Sequence, residues 1–346
     1  MGNQSTQKAD IGREQNFSRH TAGRARIIKL ILALALVAGI LFASYKVIKA
    51  TYLDRQLSRF SPRHWVNLDE QDASSAGAAS TDAVQKPALR FAIAPVVSPE
   101  KSLEIYQGFV KYLAEKLGKN PIRLQRATYA EINDLVRYRQ CDIAFVCTYA
   151  FIRGEREFGM QALVVPQVRG VTTYQSFILV PQSSRVTSLL DLRGKRFASG
   201  DVISTSGWLF PAIWLMQHGE DPNHFFGEHI ISGSHDRSIE AVADRHVDGA
   251  AVDSLVYDQM VTDDPSILNK TTILLKSPPY GTPPIVVHPN IDSDLKTKAL
   301  SVLLNMYKED QGKKILDTLR IERFVAPEKR LHDSVRQAVG VMEGWR

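Results

Sequence analysis

A chain of 346 residues, 44% hydrophobic and 23% charged, has material for roughly two folded domains and not the composition of a disordered protein. Its net charge of +6 is unevenly spread: residues 1–65 hold eleven Lys and Arg against three Asp and Glu, a net +8, leaving −2 for the remainder. A globular part with no overall positive field argues against nucleic acid as a partner.

Taken in chain order, the first feature lies between those basic residues. The run LILALALVAGILFASY (30–45), extended by Ile27, Ile28, Val47 and Ile48, gives an apolar span over 27–48. That is near the ~20 residues needed to cross a bilayer, and Lys29 and Lys46 can extend their amines to the headgroups. Leu41/Ala43 and Phe42/Ser44 match a small-x-small cleavage site poorly, and no cysteine follows to take a lipid. The span is therefore read as a single uncleaved transmembrane anchor after a short basic tail (1–26). Five Lys and Arg lie within twenty residues on each side of the 30–45 run, so charge alone leaves the orientation tied. Residues 49–88 form a juxtamembrane segment and a flexible linker, the latter rich in Ala, Ser, Gly and Asp.

From Leu89 strands and helices alternate. LRFAIAPV (89–96) reads as a strand, and Ser98-Pro99 opens a helix whose stripe is Leu103, Tyr106, Val110, Leu113 and Leu117, closed by Gly118. IRLQR is a strand, Thr128 with Glu131 is a capping box, and CDIAFVC reads as a buried strand that would hold Cys141 and Cys147 too far apart to pair. ALVVP, YQSFILVP, KRFAS, HIIS, GAAVD and TILLK continue the strands, with helices after KRFAS, HIIS and GAAVD and a further helix over 292–318. This alternation predicts an α/β protein with right-handed βαβ units, parallel sheets, and ligands at loops beyond the carboxyl ends of strands.

At one such end stands SGDVISTSGWLF (199–210), with Ser204, Thr205, Ser206 and Gly207 directly before a helix. A helix start offers unpaired N–H groups and the positive end of its dipole. Hydroxyls add donors, and glycine lets the main chain approach closely. Capping alone needs one such residue, so a polar capping turn and an anion cradle both remain open. SGSHD (232–236) repeats small polar residues before His235, which reads as a structural histidine or a donor. In GAAVDS (249–254) a strand of small residues ends on Asp253, either a helix N-cap or an acidic site residue.

RFAIAPVVSPE, SPEKSLEIYQGFVKYLAEKLGK, RYRQCDIAFVCTYAF, SLLDLRGKRFASGDVISTSG, SGSHDRSIEAVADRHVDGAAVDS and PPYGTPPIVV occur in that order. Together, over 89–335, they resemble the phosphonate/phosphite/phosphate-binding components of ABC transporters, here as a membrane-anchored variant. The resemblance implies a two-lobed type II periplasmic binding protein fold with two crossover strands: 89–177 with 274–335 as one lobe, 178–273 as the other, and 336–346 as a tail. It implies that Ser204, Thr205 and Ser206, with the amide of Gly207, hold phosphoryl oxygens. His235 donates to the same group, and Tyr149 comes from the opposite lobe. Asp253 would accept a proton from a P–OH, or pair with a ligand amine, and so reject sulfate. Cys147 stands where that family commonly has a smaller or turn-forming residue.

The resemblance places the main domain in the periplasm with 1–26 inside, a phosphorus oxyanion as ligand and an ABC permease as partner. A membrane-tethered domain signalling to a partner sensor protein would use the same cleft. An enzyme reading, with His235, Asp236 and Asp253 in a hydrolase or on a metal, lacks HExxH, GxSxG and GxxxxGK[ST] motifs. No cofactor and no metal are expected.

Overall fold

The computed structural model describes residues 86–344; the expected basic tail, the anchor and nearly all of the linker lie outside the described residues. Among the described residues no helix is long and apolar enough to cross a membrane. The chain begins β1 (Ala88–Ile93), α1 (Pro99–Lys116), β2 (Asn120–Gln125), α2 (Tyr129–Arg137), β3 (Ile143–Phe145), α3 (Thr148–Phe158) and β4 (Gln161–Gln167). After β5 (Thr173–Tyr174) come β6 (Ser176–Pro181), β7 (Arg196–Ser199), α4 (Phe210–Gln217) and α5 (Pro222–Phe225). Next are β8 (Glu228–Ile231), α6 (His235–Ala243), β9 (Gly249–Asp253), α7 (Ser254–Asp263) and β10 (Thr271–Lys276). The chain closes with β11 (Tyr280–Gly281), β12 (Ile285–Val287), α8 (Ser293–Asn305), α9 (Asp310–Leu319), β13 (Arg323–Val325) and α10 (Asp333–Gly344).

Two sheets result, of order β13-β4-β12-β3-β1-β2 and β10-β6-β9-β7-β8. Each forms a lobe with its helices. The chain crosses between them twice, and the crossovers pair as β5 and β11, antiparallel, with Tyr280 opposite Tyr174. The second sheet spans Ser176 to Lys276, slightly wider than 178–273. The sheets are mixed, which corrects the parallel expectation. β1 runs parallel to β2 and β3, and β7 to β8 and β9, as βαβ units require. However, β12 is antiparallel to β3 and β4, and β6 to β9 and β10, because strands arriving from the other lobe enter at the opposite end.

Strands covered on both faces read as continuous apolar runs. Leu89, Phe91, Ala92 and Ile93 of β1 are all buried, and every residue of β9 is buried. Of the expected stripe on α1 only Val110 and Leu113 are fully buried. Phe109 and Tyr112 complete the buried face, with Phe109 edge-on to Phe91 at 5.5 Å between ring centres. Ser98 caps α1 in position but not through its side chain; its backbone N–H instead donates to Asp236 Oδ1 of the other lobe at 2.9 Å. The Thr128–Glu131 capping box of α2 is present.

Three further expectations change. The CDIAFVC strand is only three residues long, so Cys141 and Cys147 both lie outside it; they are buried and free. The helix expected over 292–318 breaks into α8 and α9 around a 3-10 turn at Met306–Lys308, with Glu309 extended. A Cβ on Gly312 would lie 2.0 Å from the Met306 carbonyl, so glycine is what lets α9 pack back on that turn. The residues expected as a tail are helical from Arg336 through Gly344, with Val339 buried and Arg336 paired with Glu155 at 2.8 Å. The segment before α10 also braces the crossovers: His332 Nε2 lies 3.0 Å from the Thr282 carbonyl, and a Cβ on Gly281 would meet Leu331 O at 2.6 Å.

Candidate functional site

Beyond β7 the loop Gly200–Ile203 leads to Ser204, which caps a π-helical turn at Thr205–Leu209 before α4. Ser204 Oγ accepts the Gly207 N–H at 3.0 Å, and a Cβ on Gly207 would lie 3.0 Å from that oxygen. The glycine is therefore needed for a close approach. Its amide, expected beside a ligand, is turned back onto Ser204, because a π-helical start leaves that N–H within reach of the capping hydroxyl.

The turn faces the other lobe. Thr205 Oγ1 accepts the Tyr149 N–H at 2.8 Å, and the Thr205 N–H donates to Cys147 Sγ at 3.3 Å. Cys147 is the N-cap of α3, so the starts of α3 and of the π-helical turn cap one another across the lobes. Asp201 adds a third link, its Oδ2 accepting the Tyr129 N–H at the start of α2 at 2.9 Å. Positive ends of helix dipoles thus converge from both lobes, a field that favours a negative charge between them.

Ser206 Oγ is buried without a hydrogen-bond partner, although the Ser206 carbonyl accepts from Ser176 Oγ at 2.5 Å. The Ser204 and Thr205 hydroxyls each accept an amide N–H and can each donate one hydrogen; Thr205 Oγ1 also lies 3.5 Å from Cys147 Sγ, where either atom can be the donor. His235 opens α6, and its backbone N–H donates to Val96 O of the other lobe at 3.0 Å. Its Nδ1 accepts the Asp253 N–H at 3.3 Å, and its Nε2 lies 3.4 Å from Ser204 Oγ. Burial pushes its pKa down to about 4, so near neutral pH the ring is uncharged. With Nδ1 accepting, the proton sits on Nε2, directed at Ser204.

Asp253 combines both sequence readings. It is the N-cap of α7, with Oδ1 accepting the Leu255 N–H at 2.7 Å, and it is nearly fully buried. Burial pushes its pKa up to about 7, partly offset by the Leu255 and Val256 N–H groups. Ser204, Thr205, Ser206, Gly207, His235, Asp253 and Tyr149 are thereby brought together by direct hydrogen bonds and sheet register, Asp253 standing opposite Ser176. Tyr149 makes its link to Thr205 through its backbone.

Sequence reasoning missed Cys147's contact with Thr205, Asp201, and the tyrosines Tyr129 and Tyr174. The Tyr129 hydroxyl is buried without a partner. Burial raises the pKa of both phenols well above 10, with the Asp253 charge adding to it, so both stay protonated. No spacing marks them in the sequence; the one hint was Tyr129 directly after a capping threonine. Among the described residues no group of three or more His, Cys, Asp and Glu is placed to hold a metal ion.

The family model for the phosphonate ABC transporter periplasmic substrate-binding protein matches residues 91–331. The chain belongs to this family. Members of this phosphonate-binding family are solute-binding proteins rather than enzymes, and their place is outside the cytoplasmic membrane. The phosphonates-binding periplasmic protein of Escherichia coli (strain K12) is 27% identical over 240 residues, 68% of this chain and 71% of that protein. A probable ABC transporter phosphite binding protein of Prochlorococcus marinus (strain MIT 9301) is 29% identical over 160 residues, 44% of this chain and about half (54%) of that protein.

Among solved structures, the binding component of an ABC phosphonate transporter from Pseudomonas aeruginosa superposes with a TM-score of 0.70 at 22% identity, covering 75% of this chain and 87% of that one. The Prochlorococcus marinus protein in complex with methylphosphonate gives 0.67 at 21% identity, covering 74% and 98%. At those identities the likeness establishes the two-lobed α/β fold.

Proposed function

We propose that this chain captures a small phosphorus oxyanion, such as a phosphonate, phosphite or phosphate, between its two lobes and delivers it to an ABC permease. The observation that carries the reading is Ser206 Oγ, a buried hydroxyl without a partner where helix starts from both lobes converge. An oxyanion there would take hydrogens from Ser204, Thr205 and Ser206, from His235 Nε2 and from the Tyr129 hydroxyl. Such bonds contribute ~1.5–3 kcal/mol each when one partner is charged, enough to hold a small anion without Lys or Arg. Isothermal titration of the purified full chain in detergent with methylphosphonate, 2-aminoethylphosphonate, phosphite and phosphate tests this. At least one is expected to bind with a stoichiometry near one, and no heat from any of the four would end the reading.

The sequence also supports a finer placement, in which 27–48 is a single-pass anchor, 1–26 is cytoplasmic and 49–88 tethers the lobes in the periplasm. Fractionation checks it. The full chain is expected in the membrane pellet after an alkaline wash, and a protein found wholly in the soluble periplasmic fraction would contradict it.

A further inference from the structure

Next to the converging helix starts lies a cavity of about 580 Å3 between the lobes. That is well within the ~300–1,000 Å3 of pockets that take organic ligands. Its walls include Ile93, Val97, Ile105 and Phe145 from the first lobe and Leu255 and Val256 from the second. Three further lining residues join it to the polar cluster. Asp253 lines it; so does Val96, whose carbonyl accepts the His235 N–H; so does Val146, next to Cys147.

At the solvent side Arg169 pairs with Asp258 at 2.9 Å, Arg320 pairs with Asp263 at 3.0 Å, Glu322 accepts the Gly170 N–H at 2.9 Å, and Gln259, Thr262 and Asp317 also line the opening. Both arginines of the lining are thus paired, which leaves no unpaired cation there for an acidic group at the far end of a ligand. Phosphate and phosphite have no atoms to place against apolar walls, and methylphosphonate has one carbon. A longer substituent would cover those walls and displace water from them.

Building on the phosphorus-oxyanion reading, we propose that the ligand of this chain carries an apolar organic substituent on its phosphoryl group, seated in the chamber beside Asp253. The substituent is joined either by a C–P bond or as an O-linked monoester, since the walls distinguish carbon from water rather than one linkage from the other.

The test is a chain-length series on the purified full chain: methyl-, butyl- and hexylphosphonate, with hexyl phosphate as the ester arm. Each buried methylene tightens binding by about threefold to fourfold, so hexylphosphonate, hexyl phosphate or both should bind at least about tenfold tighter than methylphosphonate. Ile105→Trp, which fills the chamber from α1, should bring the hexyl-to-methyl ratio down toward one. Should that variant not fold, the series on the native chain still decides. Methylphosphonate binding with both hexyl ligands equal or weaker would overturn the chamber alone. No binding by any of them would overturn the chamber and the phosphorus-oxyanion reading together.

Discussion

Replacing Ser206 with alanine is expected to weaken methylphosphonate binding by about tenfold to a hundredfold, as expected for losing one hydrogen bond to a charged group. The unliganded protein should respond in the opposite sense. Ser206 Oγ is buried and has no protein partner, so in the empty protein its hydroxyl is desolvated without return. Removing it should leave the melting temperature unchanged or raise it. Thr205→Ala is the informative contrast, because Thr205 Oγ1 accepts the Tyr149 N–H and its loss strips a cap from α3. That variant should lose about 1 kcal/mol of stability as well as affinity. Titration calorimetry and thermal melts on the two variants separate the roles. A Ser206→Ala protein that melts lower yet binds normally would make the hydroxyl a structural group.

Asp253→Asn should change both pH dependence and selectivity. The asparagine oxygen can still accept the Leu255 N–H, so the cap of α7 survives. The native carboxyl has its pKa raised by burial from the ordinary 3.8 to about 7. Below pH ~4 it is protonated in folded and unfolded chains alike, and it contributes nothing unfavourable. Between pH ~4 and ~7 the unfolded chain releases the proton while the folded chain keeps it, so native stability falls as pH rises through that window. The asparagine variant lacks this loss. Its stability relative to the native protein should grow from pH 4.5 to 7.5, by at most about 4 kcal/mol.

Selectivity follows from the same group. At pH 7.5 an ionised Asp253 tolerates a neighbouring oxyanion only where a proton lies between them. A protonated phosphonate brings that proton, and sulfate does not. Because a pKa of about 7 leaves roughly a quarter of the native carboxyls protonated at pH 7.5, the native chain should prefer methylphosphonate over sulfate by about a few-fold there, and Asp253→Asn should narrow the difference. Equal affinities for the two anions in the native chain would refute the role.

Much of this site could be read in the chain because its parts are local. Ser204–Gly207, His235 and Asp253 each follow a strand and start a helical segment, and such punctuation shows as small polar residues before an apolar run. The capping box at Thr128 and Glu131 is likewise a spacing of three. What the pattern did not carry was how each donor is spent. The Gly207 amide goes to Ser204, Thr205 binds Tyr149, and the Ser206 hydroxyl is left unpaired, as are those of Tyr129 and Tyr174. Cys147 read as part of a strand and is instead a cap against Thr205.

The sequence by itself determined the alternation of strands and helices, the helix starts that hold the donors and the acidic residue beside them. Hydrophobic period and capping chemistry act over a few residues. Only the tertiary structure decided that sheets are mixed, that helix starts from two lobes meet, and that an apolar chamber opens beside Asp253. Those depend on contacts between residues far apart in the chain, such as Tyr149 with Thr205 and Val96 with His235, which no local spacing encodes. Burial of Asp253, and with it the displaced proton affinity, exists only once both lobes surround it.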